Sequence, residues 1–266
     1  MLNLGKKNVL GIMVSALDYE AAVERVMTAA TLSLPLAVTA LAVHGVMTGV
    51  TDLEHQYRLN SFDLIVPDGQ PVRWALNLLY GSKLQDRVYG PNLMLKVCKA
   101  AATKNLPVYF YGSSANVVQK LSMRLSERFP DLLIAGAEPS KFGRLSADEH
   151  EQLVERIARS GAAIVFVGLG CPRQEVFTFE LRSALALPIL AVGAAFAFHA
   201  GSLPQAPRWM QDRGLEWLYR LGREPSRLWK RYVFLNPLFV GFIALQMLGR
   251  RFDTGGRKPH TQQLYG

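Results

Sequence analysis

Short apolar runs recur along this chain, bounded by Gly, Pro, Asn, Asp or Ser, and most are followed by segments whose apolar residues return every three or four positions. The runs at residues 8–13, 36–39, 63–66, 107–111, 132–135, 162–168 and 188–192 predict β-strands. Between them the spacing predicts helices. Residues 18–30 place Ala22, Val26 and Ala30 on one face; residues 113–129 open on serine and align Val117, Leu121 and Leu125. Residues 146–161 begin with a capping box, Ser146 and Glu149, and close on Gly161. Strands alternating with helices predict a Rossmann-like α/β fold, a mostly parallel, doubly wound sheet whose ligands bind at the carboxyl ends of the strands.

The alternation stops after Ser202. An α/β core over residues 1–202 and a helical appendage over 203–266, rich in Arg and Trp, are expected. Charge divides at the same place. Residues 203–266 carry 11 Lys and Arg against 4 Asp and Glu, whereas the first 202 hold 19 against 17, so most of the net charge of +9 belongs to the appendage. A basic patch of this kind suits an anionic membrane surface or phosphorylated ligands. Nucleic acid is not expected as a partner, because no Lys/Gly-rich arm or reader motif accompanies the charge.

Three stretches lack formal charge: 27–51, 183–207 and 232–249. The first two contain strand-like runs and read as buried sheet. The third is interrupted by Pro237 and bracketed by Lys230, Arg231, Arg250 and Arg251. It reads as a helix in the membrane interface rather than a span, with a terminal core or oligomer helix as the alternative. Cys98 and Cys171 stand far apart, so neither a disulfide framework nor a CxxC site is expected and a reducing, cytoplasmic setting follows. The first twenty residues resemble a first strand more than a signal peptide.

Candidate chemistry gathers at the strand ends. Asp68 follows the run Leu64, Ile65, Val66 and Pro67, just before a predicted helix. A carboxylate there is either a helix cap or a general base for an attacking hydroxyl. In "GLGCPRQE", Gly168 and Gly170 offer bare backbone amides to a phosphate or sugar, Pro172 can open the next helix, and Gln174 and Glu175 face the presumed cleft. Gly112, in "YGSS", ends the preceding strand. The dinucleotide fingerprint needs glycine at 173, where Arg173 stands, so an NAD-linked oxidoreductase is poorly supported. His44, His55, His150, His199 and His260 form no HExxH motif or His/Cys ligand set, and no P-loop, GxSxG elbow or Asp-x-Asp pair occurs. No metal and no cofactor are expected. If a diphosphate leaves, arginines must stabilise it; Arg220, Arg223, Arg227 and Arg231 recur at roughly helical spacing among Trp209, Trp217 and Trp229, although Pro225 will break or kink that helix.

Taken together, Thr39, "PDG" at 67–69, "RVYGPNLM" at 87–94, "YFYGSS", "FVGLGCPRQE", "VGAAFAFHAG" and "APRWMQDRGLEWLYRLGREPSRLWKRY" resemble the WecG/TagA/CpsF family of bacterial glycosyltransferases. The resemblance implies an inverting, metal-independent enzyme. It would move a sugar from a UDP-sugar to a polyprenyl-diphosphate-linked acceptor for surface polysaccharides, peripherally at the cytoplasmic face of the inner membrane. By the same resemblance Asp68 is the base, Thr39, Arg87 and Gln174 are polar cleft positions, and the late arginines belong to a part that closes over the site and meets the membrane. Self-association through the core is left open. Two positions depart from the family pattern: Leu41 stands where Asn is common, and Ala197 where Asp is common. These departures leave the donor sugar open, one other than an N-acetylmannosamine type included, and leave a non-catalytic nucleotide-sugar-binding or scaffold protein as the alternative.

Overall fold

A computed structural model describes the backbone of residues 1–266 and all side chains except those of Arg227, Lys230 and Arg231. Eight strands are present: β1 (Asn3–Val9), β2 (Ile12–Leu17), β3 (Leu36–Leu41), β4 (Leu64–Pro67), β5 (Val108–Gly112), β6 (Ile134–Glu138), β7 (Ile164–Gly168) and β8 (Pro188–Ala191). β3 to β8 form one parallel sheet in the order β4-β3-β8-β7-β5-β6.

β3, β4, β5, β7 and β8 are almost wholly apolar because both faces are covered, whereas edge strand β6 is half-buried. Even-numbered residues Val38, Leu64, Val66, Phe110, Phe166 and Leu190 share one buried cluster with helices Tyr19–Thr31, Gly90–Thr103 and Ala115–Arg128. Odd-numbered residues point the other way: Ala37 and Ile65 pack with the β1–β2 hairpin, and Tyr109, Val165, Val167 and Ile189 pack with helices Ala147–Arg159 and Arg173–Leu181. Period two is therefore written into each strand as two hydrophobic surfaces rather than one.

The run at 8–13, expected as a single strand, is the tip of a hairpin. Leu10 and Gly11 both take positive φ, the pairing that a tight reversal between antiparallel strands requires, and β1 pairs with β2 on either side. The hairpin covers the outer edge of the sheet, where the Ser15 hydroxyl accepts the Ile65 N–H at 3.1 Å. Ser114 holds the N-cap position of its helix but makes no capping hydrogen bond, and Val118 rather than Val117 is buried beside Leu121 and Leu125. The capping box at Ser146 and Glu149 is present as read.

The C-terminal block is a series of short helices, Arg208–Asp212, Glu216–Arg223 and Pro225–Lys230, a π-helical turn at Arg231–Leu235, and helix Asn236–Met247. Pro237 does not interrupt that last helix. It lies in the first turn, where its missing N–H has no intrahelical partner to lose. Phe239 and Ile243 are buried against the core, and Gln246 bonds both the Leu10 N–H and the Asn8 carbonyl of the hairpin. The final segment leaves the block and returns to the core. Gln56 donates to the Asp253 carbonyl, the Gln263 and Leu264 amides donate to Glu180, and the Gly266 amide donates to the Gly143 carbonyl. No helix among the described residues is long and apolar enough to cross a membrane.

Candidate active site

Parallel register brings the strand ends to one edge. Thr39 lies opposite Ala191, Val167 is paired with Ala191 and Tyr111, and Leu41 is paired with Pro67, so Asp68 emerges just beyond the β3–β4 ladder. Gly112 and Gly168 are paired at the ends of β5 and β7, where a Cβ on Gly112 would lie 2.8 Å from the Gly168 backbone. Gly112 has a φ of +123°, so glycine is needed there both for conformation and for close approach. Gly168 is covered by the Phe196 ring, whereas the space beside Gly170 is open.

Asp68 is half-buried, closely surrounded by protein yet still partly open to solvent. Its Oδ1 accepts the Gly90 N–H at 2.6 Å, at the start of helix Gly90–Thr103. The same residue therefore touches a helix N-terminus, but not that of the helix directly following it. Burial pushes its carboxyl up to about 6, Arg87 and the Gly90 amide oppose that rise, Glu216 adds to it and Arg220 opposes it. A carboxyl poised near neutrality can accept a proton from a hydroxyl and release it again.

Arg87 is buried beside it. Its guanidinium stacks 4.1 Å from the Tyr89 ring centre and donates to Glu216 Oε2 at 2.7 Å and Gln211 Oε1 at 3.3 Å. Burial disfavours its charge, but Glu216 and Asp68 outweigh that cost and hold the guanidinium more firmly protonated than usual. The Tyr89 hydroxyl donates to the other Glu216 oxygen at 3.0 Å. Tyr89 in turn donates its backbone N–H to the hydroxyl oxygen of Tyr19, whose own ionisation burial pushes up to about 12. Glu216 thus carries the helical block into the site. In the sequence it is one of four acids set among eleven Lys and Arg over residues 203–266, and nothing in the local spacing singles it out.

Of the four late arginines, Arg220 is close enough to Asp68 to lower its pKa, and its Nε is buried without a hydrogen-bond partner among the described residues. Arg223 is exposed and lies over Tyr219. Arg227 and Arg231 lie outside the described residues. The helix that carries Arg220 and Arg223 ends at Arg223, and a new one starts at Pro225.

Thr39, Gln174 and Glu175 are brought together beneath the edge rather than displayed on it; all three are buried. The Thr39 hydroxyl donates to Glu175 Oε1 at 3.0 Å, and Gln174 Nε2 donates to the same oxygen at 2.8 Å. Gln174 Oε1 accepts the Gly170 and Gly193 amides at 3.2 and 2.9 Å, tying the loop after β7 to the loop after β8. The amides of Gly168–Gly170 are therefore not all bare: the Gly170 N–H is already taken by a side chain four residues on. Pro172 caps the helix rather than opening it, which begins at Arg173. Burial raises the Glu175 carboxyl above its usual range, against the pull of Gln174, Thr39 and Cys171.

Two histidines read differently in space. His199 bonds the Pro91 carbonyl at 2.9 Å and lines a cavity of about 560 Å³ beside helix Gly90–Thr103, whose walls contain neither Asp68 nor Arg87. His55, from helix Leu53–Asn60, meets Cys171 and Glu175: one ligand atom from each lies within 4.8 Å of the others. Positions 55, 171 and 175 are too distant in sequence to suggest a ligand set. Burial pushes the His55 ring down to about 4, so it is uncharged at neutral pH. Leu41 is packed into the core against Gly45.

A sequence model described as the glycosyl transferase WecG/TagA/CpsF family matches residues 7–253. A protein of Bacillus subtilis (strain 168) named N-acetylglucosaminyldiphosphoundecaprenol N-acetyl-beta-D-mannosaminyltransferase is 27% identical over 216 residues, 81% of this chain and 82% of its own. A protein of the same name from Bacillus spizizenii (strain ATCC 23059 / NRRL B-14472 / W23) is 30% identical over 203 residues, 76% of this chain and 74% of its own. With a strand-end carboxylate held near neutrality beside buried arginine, and a family match across nearly its whole length, this chain belongs to the WecG/TagA/CpsF family of glycosyltransferases.

Proposed function

We propose that this glycosyltransferase moves a sugar, N-acetylmannosamine as in its named relatives, from a UDP-sugar to an N-acetylglucosaminyl-diphosphoundecaprenol acceptor, with inversion. The observation that carries the reading is Asp68: partly open to solvent, raised to about 6, and flanked by Arg87 and Arg220. Asp68 takes the proton of the acceptor hydroxyl as that oxygen forms its bond to the anomeric carbon from the face opposite UDP. The bond from anomeric carbon to phosphate oxygen breaks, and UDP leaves with the electron pair. Arg87 and Arg220 supply positive charge where the phosphates carry it. A single base suffices for such a displacement; a retaining path would need a nucleophile as well.

Helix Asn236–Met247 supports action at the cytoplasmic face of the inner membrane. Phe239 and Ile243 anchor it to the core while Leu238, Val240, Leu245 and Met247 remain exposed, followed by exposed Arg250 and Arg251. An apolar face with cations at its border suits an anionic lipid interface.

The test is UDP release by the purified chain on vesicles containing the polyprenyl-diphosphate acceptor, across a panel of UDP-sugars, with and without EDTA. Acceptor-dependent release with UDP-N-acetylmannosamine, unaffected by EDTA in the assay, is expected. Release with a different donor alone would overturn the sugar assignment, and silence from folded, UDP-binding protein would overturn the transfer itself.

A further inference from the structure

His55, Cys171 and Glu175 serve no step of the transfer, and two of them are among the most enclosed polar residues of the chain. His55 is 2% exposed and Glu175 is 0% exposed. His55 Nε2 is buried without a hydrogen-bond partner among the described residues, and Glu175 Oε2 is equally enclosed, with the Cys171 thiol against its carboxylate. Leaving a buried polar atom unmatched is costly, so a buried imidazole with an unmatched nitrogen, grouped within 4.8 Å with a thiol and a buried carboxylate, calls for an occupant. The Cys171 thiol lies against the Glu175 carboxylate and 3.6 Å from where a Cβ on Gly45 would stand.

We propose that His55, Cys171 and Glu175 form a site for one divalent transition-metal ion of the zinc type, which clamps the loop after β7 to helix Leu53–Asn60. The donor set is imidazole nitrogen, thiolate sulfur and carboxylate oxygen, a combination that zinc accepts in tetrahedral sites. Among the described residues it is the one group of three His, Cys, Asp or Glu side chains so placed. Ligand atoms around a tetrahedral zinc lie roughly 3.5 Å apart, given metal–ligand bonds of about 2.0–2.3 Å. The separations here, all within 4.8 Å, must therefore close by no more than roughly an ångström on binding, a shift within reach of one side-chain rotation.

The surroundings are built for such an ion. Glu175 Oε1 is fixed by Thr39 and Gln174, which leaves Oε2 as the ligand and orients it. Cys171 alone of the three is partly exposed, giving both an entry path and a fourth coordination position. On binding, the thiol loses its proton to solvent and the thiolate and carboxylate balance the two positive charges of the ion. The role is structural: the ion holds the helix start that carries Gln174, and through it the loops at Gly170 and Gly193.

The experiment uses the full chain with cobalt and zinc as probes. One Co²⁺ per chain should bind with a thiolate-to-cobalt charge-transfer band in the near ultraviolet. That band should vanish in Cys171→Ser and persist in Cys98→Ala. Zn²⁺ at a hundredfold excess over its Kd should raise Tm by roughly 5 °C or more, prolonged dialysis against EDTA rather than its brief presence in an assay should reverse it, and Cys171→Ser and His55→Gln should both lack it. No charge-transfer band and no zinc-dependent Tm shift in the wild-type chain would overturn the proposal. So would an undiminished shift in both variants, which would place the metal elsewhere. These readouts do not involve turnover, so they stand or fall apart from the transferase assignment.

Discussion

Asp68 and Glu175 are carboxylates at the same edge of one sheet, and burial raises the pKa of both. They differ in what surrounds them. Asp68 has one backbone donor, two arginines within electrostatic reach and an opening to solvent. Glu175 is wholly enclosed and its first oxygen is saturated by Thr39 and Gln174. The same desolvation makes a usable proton acceptor in the first place and a fixed brace in the second, because only the first can be reached by a substrate hydroxyl. Access, not the shifted pKa alone, separates catalysis from architecture.

The comparison breaks most sharply at Asp68. Asp68→Asn should leave the fold intact and reduce turnover by about 10²–10⁴-fold, measured as UDP release; wild-type rates would remove Asp68 from the chemistry. Its stability effect has the opposite sign. The folded chain holds this proton more tightly than the unfolded one, whose carboxyl titrates at its ordinary value of 3.8. Stability from this group is therefore greatest at low pH, falls as pH rises from about 4 to about 6, and is level above that. Asp68→Asn should raise Tm at pH 7 and lose that advantage near pH 4.

On the side of the brace, Gln174→Ala leaves the Gly170 and Gly193 amides and one Glu175 oxygen short of partners. It should cost about 1–3 kcal/mol in urea unfolding and weaken donor binding more than turnover of bound donor. A Gln174→Ala chain that lost kcat as fully as Asp68→Asn would erase the distinction drawn between the two carboxylates.

The helical block permits a finer cut. Val240→Asp and Leu238→Asp should each reduce sedimentation with anionic vesicles by about tenfold, since burying such a side chain contributes roughly 1.5–3 kcal/mol, while UDP binding is unchanged. The smallest expected effect is a pair of opposed shifts. The kcat/KM profile should rise with pH through a midpoint near the Asp68 value of about 6. Glu216→Gln removes a negative neighbour and should move that midpoint down. Arg87→Gln removes the largest opposing charge and should move it up, in addition to weakening phosphate binding. Shifts of the same sign in both variants would show that Asp68 is not the titrating group.

Much of the architecture was legible in the chain itself. Unbroken apolar runs ending in Pro-Asp-Gly, Tyr-Gly-Ser or Gly-Leu-Gly must be covered on both faces, and a parallel sheet is the structure that does so. Six of the seven runs matched strands β3 to β8 in order, and Asp68, Gly112, Gly168 and Gly170 did arrive at one edge. The hairpin is not legible in the sequence because Leu10 and Gly11 lack the Asn-Gly signature of such turns; Leu10 holds positive φ under the constraint of the strands on either side. Proline disrupts helix interiors, so the sequence predicts a break at Pro237, but its effect depends on position, and the helix begins one residue before it.

What the sequence determined by itself is the kind of fold, the edge at which chemistry gathers and the family, since local spacing and a few fixed motifs encode all three. Only the tertiary structure decided the partnerships. Arg87 with Glu216, 129 positions apart, Thr39 with Glu175, 136 apart, and His55 with Cys171 and Glu175 are products of crossovers that no local period records. Burial decided the rest: the free energy of a charge depends on every atom around it, and those atoms come from the whole chain at once.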